Sequence, residues 1–300
     1  MKKRTELLKN ILCDDFDLEN KYKLYRTTYE IIHPTISKKN ISNYKIIIND
    51  NLVPLRIFYP DKISSLTSVI IYLHGGGWIT GSINSYSKIC REISKKCNKL
   101  VVAIDYRLAP EYKFPTGLND CYDTIKYLYE EFKNLDIAPE NIIIMGDSAG
   151  GNLAASVALK ARQTKEIDIK KEVLIYPALS GEYKGDTKYE SLIQNSKLDL
   201  LTVKHLNAFM KLYTNNEKDL ENPLVCPLKE TDYSNLPTTL IVTGDIDPLR
   251  DEGNEYYKRL KKENPKTKYL NIKFASHGFL NGKDEEIKEE FYQTVNKFLK

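Results

Sequence analysis

From residue 68 onwards the chain alternates short apolar runs with amphipathic stretches, and no other feature of the sequence constrains its fold as much. Residues 68–73, 100–104, 142–145, 173–176, 238–243 and 269–274 read as buried strands, being short and apolar. Helices are predicted between them at about 86–96, from Pro115 to about Phe132, over 153–161, and near 285–299. Repeated strand–helix units predict an α/β fold, with a mostly parallel central sheet and helices on both faces. Ahead of them, 44–49 and 52–59 read as an antiparallel hairpin around Asn49-Asp50-Asn51. It is expected at a sheet edge, a position that Pro54 favours.

Two regions fall outside this pattern. Residues 178–236 are too long for one crossover and carry a helix near 202–212, so they read as an insertion over the carboxyl edge of the sheet. Residues 3–32 read as two helical pieces. Leu7, Leu8, Ile11 and Leu12 make one apolar stripe, and Leu18, Tyr22, Tyr25 and Tyr29 make a second that should pack on the main body. The expectation is a single domain over 1–300, with a helical cap formed by about 1–40 and 178–236.

Composition narrows the function more by exclusion. A hydrophobic content of 41% and a charged content of 29% describe an ordinary globular chain. The net charge of +4 is spread along the sequence, so it reads as solvated surface, and nucleic acid is not an expected partner. Met1-Lys2-Lys3-Arg4 begins like a secretory signal, but Lys9-Asn10 split the apolar stretch that follows and Asp14-Asp15 stop it. No run approaches the roughly 20 apolar residues of a membrane span, and a cytoplasmic location is expected. Five cysteines without C-x-x-C spacing and four histidines without H-E-x-x-H give no metal site.

The chemistry gathers at Gly146-Asp147-Ser148-Ala149-Gly150, between the 142–145 strand and the 153–161 helix. A sharp strand-to-helix turn leaves no room for Cβ atoms on either side of the serine, which accounts for the two glycines. The turn pushes the hydroxyl above the sheet edge, beside a helix N-terminus that favours negative charge. A serine hydroxyl needs a base to take its proton, and the base needs an anchor. Of the two histidines downstream, His205 falls in the middle of the inserted helix. His277 follows the last strand and should emerge on the same edge as Ser148, so chain order and position favour it. The acid is expected after the 238–243 strand, where Asp245 and Asp247 are almost equally placed. Asp251 and Glu252 read as first-turn helix acids. Gly75, Gly76 and Gly77, just past the first parallel strand, offer backbone N–H groups to an oxyanion.

With these segments in place the chain resembles the hormone-sensitive-lipase-like branch of the α/β-hydrolases, which includes bacterial carboxylesterases and acetyl esterases. The resemblance rests on His74-Gly75-Gly76-Gly77-Trp78, Tyr106-Arg107-Leu108-Ala109-Pro110-Glu111, Gly146-Asp147-Ser148-Ala149-Gly150-Gly151-Asn152, Asp247-Pro248-Leu249-Arg250-Asp251-Glu252-Gly253 and His277-Gly278-Phe279, in that order over roughly 68–280. It implies an α/β-hydrolase fold with Ser148 as nucleophile, Asp247 as acid and His277 as general base, and so chooses between the two aspartates. It also implies an oxyanion hole built from the N–H groups of Gly76, Gly77 and Ala149, with His74 bracing the glycine loop. Where the family usually continues its second motif with His-Pro-Phe-Pro, this chain has Tyr112-Lys113-Phe114-Pro115, a departure that bears on loop packing.

The activity so implied is that of a serine carboxylesterase acting on short- to medium-chain acyl esters through an acyl-enzyme. Its substrate would be a small-molecule ester, with no cofactor, and homo-oligomerisation is left open. An amidase or deacetylase with the same triad is the nearest alternative. A non-catalytic ligand-binding receptor is a second, since the plant gibberellin receptor resembles this family but has lost the catalytic histidine.

Overall fold

The strands at the centre of the sheet are apolar at nearly every position because both of their faces are covered. In the computed structural model, which describes residues 17–32, 40–61, 68–134, 141–183, 186–199 and 201–300, the first parallel strands are β3 (Val69–Leu73), β4 (Leu100–Ile104) and β5 (Ile142–Asp147). All of their residues are buried. Along β5 the side chains alternate as strand geometry requires: Ile142 and Ile144 enter the core on one face, Ile143 and Met145 the core on the other. Burying each of these contributes on the order of 2 kcal/mol. A charge at Ile144 would have to be buried among apolar neighbours.

The sheet has eight strands in the order β1-β2-β4-β3-β5-β6-β7-β8. The others are β1 (Ile41–Ile48), β2 (Asn51–Phe58), β6 (Lys171–Ile175), β7 (Thr238–Gly244) and β8 (Lys268–Ile272). Strands β4, β3, β5, β6, β7 and β8 run parallel, and β1 and β2 form the antiparallel edge hairpin. Pro54 lies on β2, the inner strand of that hairpin, just beyond the Leu55–Ile104 end of its ladder with β4. Its carbonyl still accepts a hydrogen bond from Asp105 N at 3.0 Å, so the missing N–H falls where the ladder ends. Helices α2 (Ser87–Cys97) and α8 (Glu285–Leu299) cover one face. On the other lie α3 (Thr116–Asn134), α4 (Ala149–Thr164) and α7 (Arg250–Glu263).

Of the boundaries that differ from the sequence pattern, three have local reasons. Helix α4 starts directly after Ser148, because Gly150 and Gly151 have low helix propensity and hide a first turn that tertiary packing enforces. Strand β6 ends at Ile175, where Tyr176 turns to φ 36°. Strand β8 ends at Ile272, since Phe274 takes φ 59° and is 78% exposed.

The stripe Leu7, Leu8, Ile11 and Leu12 lies outside the described residues. The second stripe forms α1 (Leu18–Ile32), with Leu18 and Tyr25 buried against the main body. Residues 178–236 carry α5 (Glu190–Asn195), which the sequence pattern does not reveal, and α6 (Val203–Tyr213), capped by the Thr202 side chain. Helix α1 packs on α6, with the rings of Tyr25 and Phe209 6.1 Å apart. Among the described residues no helix is long and apolar enough to cross a membrane.

Candidate active site

Ser148 sits between β5 and α4 at φ 53° and ψ −119°, a left-handed backbone that costs a non-glycine residue on the order of 1–3 kcal/mol. The surroundings hold it there. Ser148 N donates to Ile175 O at 2.8 Å, and Asn152 N donates to Ser148 O at 3.0 Å. The flanking glycines permit the close approach: a Cβ at Gly146 would stand 2.2 Å from Gly150 O, and one at Gly150 would stand 2.1 Å from Leu73 O. Ala149 is the first residue of α4, so its N–H has no acceptor within the helix.

The structure brings Ser148, His277 and Asp247 together. Ser148 Oγ lies 2.9 Å from His277 Nε2, and His277 Nδ1 lies 3.0 Å and 3.1 Å from the two carboxylate oxygens of Asp247. Asp247 is fully buried, and its Oδ1 also accepts from Leu249 N at 2.8 Å. Asp245 takes another direction. Its Oδ1 accepts from Asn271 Nδ2 at 3.3 Å and lies 3.9 Å from the Arg250 guanidinium. His205 is buried in the first turn of α6, its Nδ1 3.1 Å from Thr202 Oγ1. Burial pushes the His277 imidazole down, but Asp247, by charge and hydrogen bond, overcomes this with help from Asp199 and Asp147. The net result is a pKa above the ordinary histidine value.

The glycine loop after β3 is joined to the elbow through Gly75 N, which donates to Asp147 Oδ1. Gly76 and Gly77 have φ 118° and 60°, positive values that glycine adopts without strain. A Cβ at Gly77 would also meet the Phe209 ring of α6 at 2.6 Å. His74 Nδ1 lies 2.8 Å from Gly75 O and so carries the proton it donates, and its ring stacks on Tyr106 at 4.3 Å. Burial lowers its pKa to about 4, so it is neutral at pH 7 and suited to bracing.

Three groups here escape a reading of the sequence. Asp147 Oδ1 accepts from Gly75 N at 2.9 Å and from Tyr72 OH at 2.8 Å, and Oδ2 accepts from Tyr86 OH at 3.0 Å. It thereby ties the elbow to the glycine loop. Burial raises its pKa to about 6 against the pull of those donors. The acid beside Ser148 was the available signal for it. From the 178–236 segment, Asn195 Nδ2 donates to Asp247 O at 3.0 Å, and Asp199 Oδ2 accepts from His277 N at 2.8 Å. No sequence pattern marks either.

A serine on a strand–turn–helix elbow, in contact with a histidine and a buried carboxylate at the carboxyl edge of a mostly parallel sheet, defines the architecture of an α/β hydrolase. Comparison with known proteins places the chain within that class. It belongs to the alpha/beta hydrolase fold family, whose model matches residues 70–281, in its hormone-sensitive-lipase-like branch. It is 37% identical to an arylesterase of Saccharolobus solfataricus over 79% of this chain and 76% of that one. With carboxylesterase NlhH of Mycobacterium tuberculosis it shares 30% identity over 76% of this chain and 72% of the relative. The solved structure of a hyperthermophilic esterase from Pyrobaculum calidifontis superposes with a TM-score of 0.83 at 30% identity, covering 99% of this chain and 97% of the other.

Proposed function

We propose that this protein is a carboxylesterase that hydrolyses small-molecule esters through an acyl-enzyme on Ser148. The observation that carries the reading is the unbroken run from Ser148 Oγ through His277 to Asp247, with contacts of 2.9 and 3.0 Å. His277 Nε2 takes the hydroxyl proton as Oγ attacks the ester carbonyl, and Asp247 holds the Nδ1–H tautomer and stabilises the imidazolium. The N–H groups of Gly76, Gly77 and Ala149 receive the oxyanion of the tetrahedral intermediate. His277 then protonates the leaving alcohol. Water, activated by the same histidine, releases the acid and restores Ser148. The arylesterase and carboxylesterase relatives support ester hydrolysis as the reaction.

Two further parts belong to the same reading. The cap of about 1–40 and 178–236 shapes the acyl pocket over a rigid sheet edge, and the preferred esters carry acyl chains of about two to eight carbons, the size that a modest pocket accepts. A cytoplasmic location is part of it too. Amide hydrolysis uses the same groups, and rates on matched ester and amide substrates separate an esterase from an amidase or deacetylase. A receptor without catalysis is disfavoured because the nucleophile, base and acid positions are all occupied.

The test is Ser148→Ala, assayed on p-nitrophenyl esters from acetate to dodecanoate. Loss of kcat on the order of 10⁶ is expected if the three residues act as a unit, together with loss of labelling by a fluorophosphonate. A variant labelled as fast as the parent would place the nucleophile elsewhere.

A further inference from the structure

The loop between α5 and α6 reaches back to the histidine. Asp199, in that loop and half-buried, accepts His277 N on Oδ2 at 2.8 Å and Leu201 N on Oδ1 at 3.0 Å. A neighbour in the same segment, Asn195, donates to the main-chain oxygens of Asp247 at 3.0 Å and Asp245 at 3.2 Å. The inserted segment therefore grips the backbones of the acid and of the base, one residue to each.

Holding a backbone N–H needs only an acceptor, and an Asn or Ser oxygen would serve as well. A carboxylate adds charge. Among the described residues no lysine or arginine forms an ion pair with Asp199; burial holds its carboxyl above the ordinary value, and the charge of protonated His277 pulls against that. We propose that Asp199 is a positioning residue for ester hydrolysis: it fixes the His277 main chain and places a second negative charge beside the imidazole, so that the inserted segment completes the base as well as covering it. The proposal rests on the reading of Ser148, His277 and Asp247 given above.

The other groups facing His277 are Asp247 from the turn after β7, Asp147 and Ser148 from the elbow, and the Tyr176 ring, whose centroid is 4.8 Å away and edge-on. Asp147 itself titrates near pH 6, so the effect of Asp199 is read as a difference between variant and parent with Asp147 unchanged. The base works only when neutral, so rate is lost on the acid side as His277 takes up a proton. A nearby negative charge stabilises the protonated ring and moves that limb to higher pH, and removing the charge moves it back to lower pH.

The experiment measures the pH dependence of kcat/KM for p-nitrophenyl acetate and of the second-order rate of fluorophosphonate labelling, on full-length protein. Asp199→Asn keeps shape and acceptor and removes the charge, and Asp199→Glu keeps the charge. For Asp199→Asn the acid limb should move down by about 0.5–1 pH unit in both measurements, with a plateau lowered by roughly three- to tenfold as the base weakens. For Asp199→Glu the limb should stay with the parent. An unmoved limb in Asp199→Asn, whatever its plateau, or an equal shift in both variants, would overturn the proposal. Ser148→Ala and His277→Ala run alongside. If they keep full hydrolysis, the reading of the site itself falls; if they lose it while Asp199→Asn keeps the parent's limb, only the role of Asp199 falls.

Discussion

Asp245 and Asp247 differ in surroundings through the turn after β7, which aims one at Asn271 and Arg250 and the other at His277. Asp247→Asn should lower kcat by about 10⁴, since the amide favours the wrong imidazole tautomer. Asp245→Asn should cost far less, and steady-state rates on p-nitrophenyl acetate decide between them. Nothing in the order of residues separates this pair. A turn's direction is set by contacts such as Asp245 N to Ile272 O and Ile246 N to Ala275 O, which join segments far apart in the chain. His74 and Asp147 make a second pair with opposite effects of pH. The His74 pKa falls to about 4 in the fold, so the unfolded chain binds more protons between its ordinary value and that point. Stability from His74 is thus present at neutral pH and lost on acidification through this window, by at most about 3 kcal/mol. Asp147 is raised to about 6, so the folded chain binds more protons below that pH and acidification towards pH 4 stabilises it. Urea midpoints followed from pH 7 to pH 4 should therefore fall less in His74→Asn than in the parent, and further in Asp147→Asn. The reverse order would contradict both burials.

Among the elements, α1 is the one whose purpose the sheet does not explain. Its Arg26 donates from Nε to Ile79 O at 2.8 Å and from Nη2 to Ala109 O at 2.9 Å, and pairs with Glu111 at 3.0 Å. It is thereby joined to the chain just after the glycine loop, while its Tyr25 meets Phe209 of α6. A protein lacking Met1–Ile32, if folded, should still be labelled at Ser148 but should discriminate less among acyl lengths. An unchanged chain-length profile in a folded truncation would leave α1 with a purely stabilising role. The parallel strands and most helices between them were legible in the sequence because periodicity is local, whereas α7 was marked only by its first-turn acids Asp251 and Glu252. Helix α5 was not. It is six residues long, too short for a 3.6-residue period to show. Asn195 and Asp199 were lost with it, being polar residues of an insertion whose partners stand 52 and 78 positions away.

At the scale of the whole molecule, the order of strands decides which residues share an edge. Strands β3, β5, β7 and β8 run parallel in one sheet, so the loops leaving their carboxyl ends carry the glycine loop, Ser148, Asp247 and His277 to one side. Parallel strands put their carboxyl ends at one edge, which makes that side predictable from sequence once the elements are recognised. Ser148 directly follows a central strand, whereas Asp247 and His277 arrive on loops after the last two strands in both the chain and the sheet, with His277 following Ser148 by 129 residues. During synthesis the serine and the glycine loop thus leave the ribosome long before His277, so on the proposed reading the growing chain carries the nucleophile without its base. With His277 as the proposed base, the onset of hydrolysis is expected only once β8 has joined β7. A refolding reaction followed by ester turnover would time the arrival of the final edge strand, while fluorescence of Trp78, buried beside the glycine loop, would time the interior.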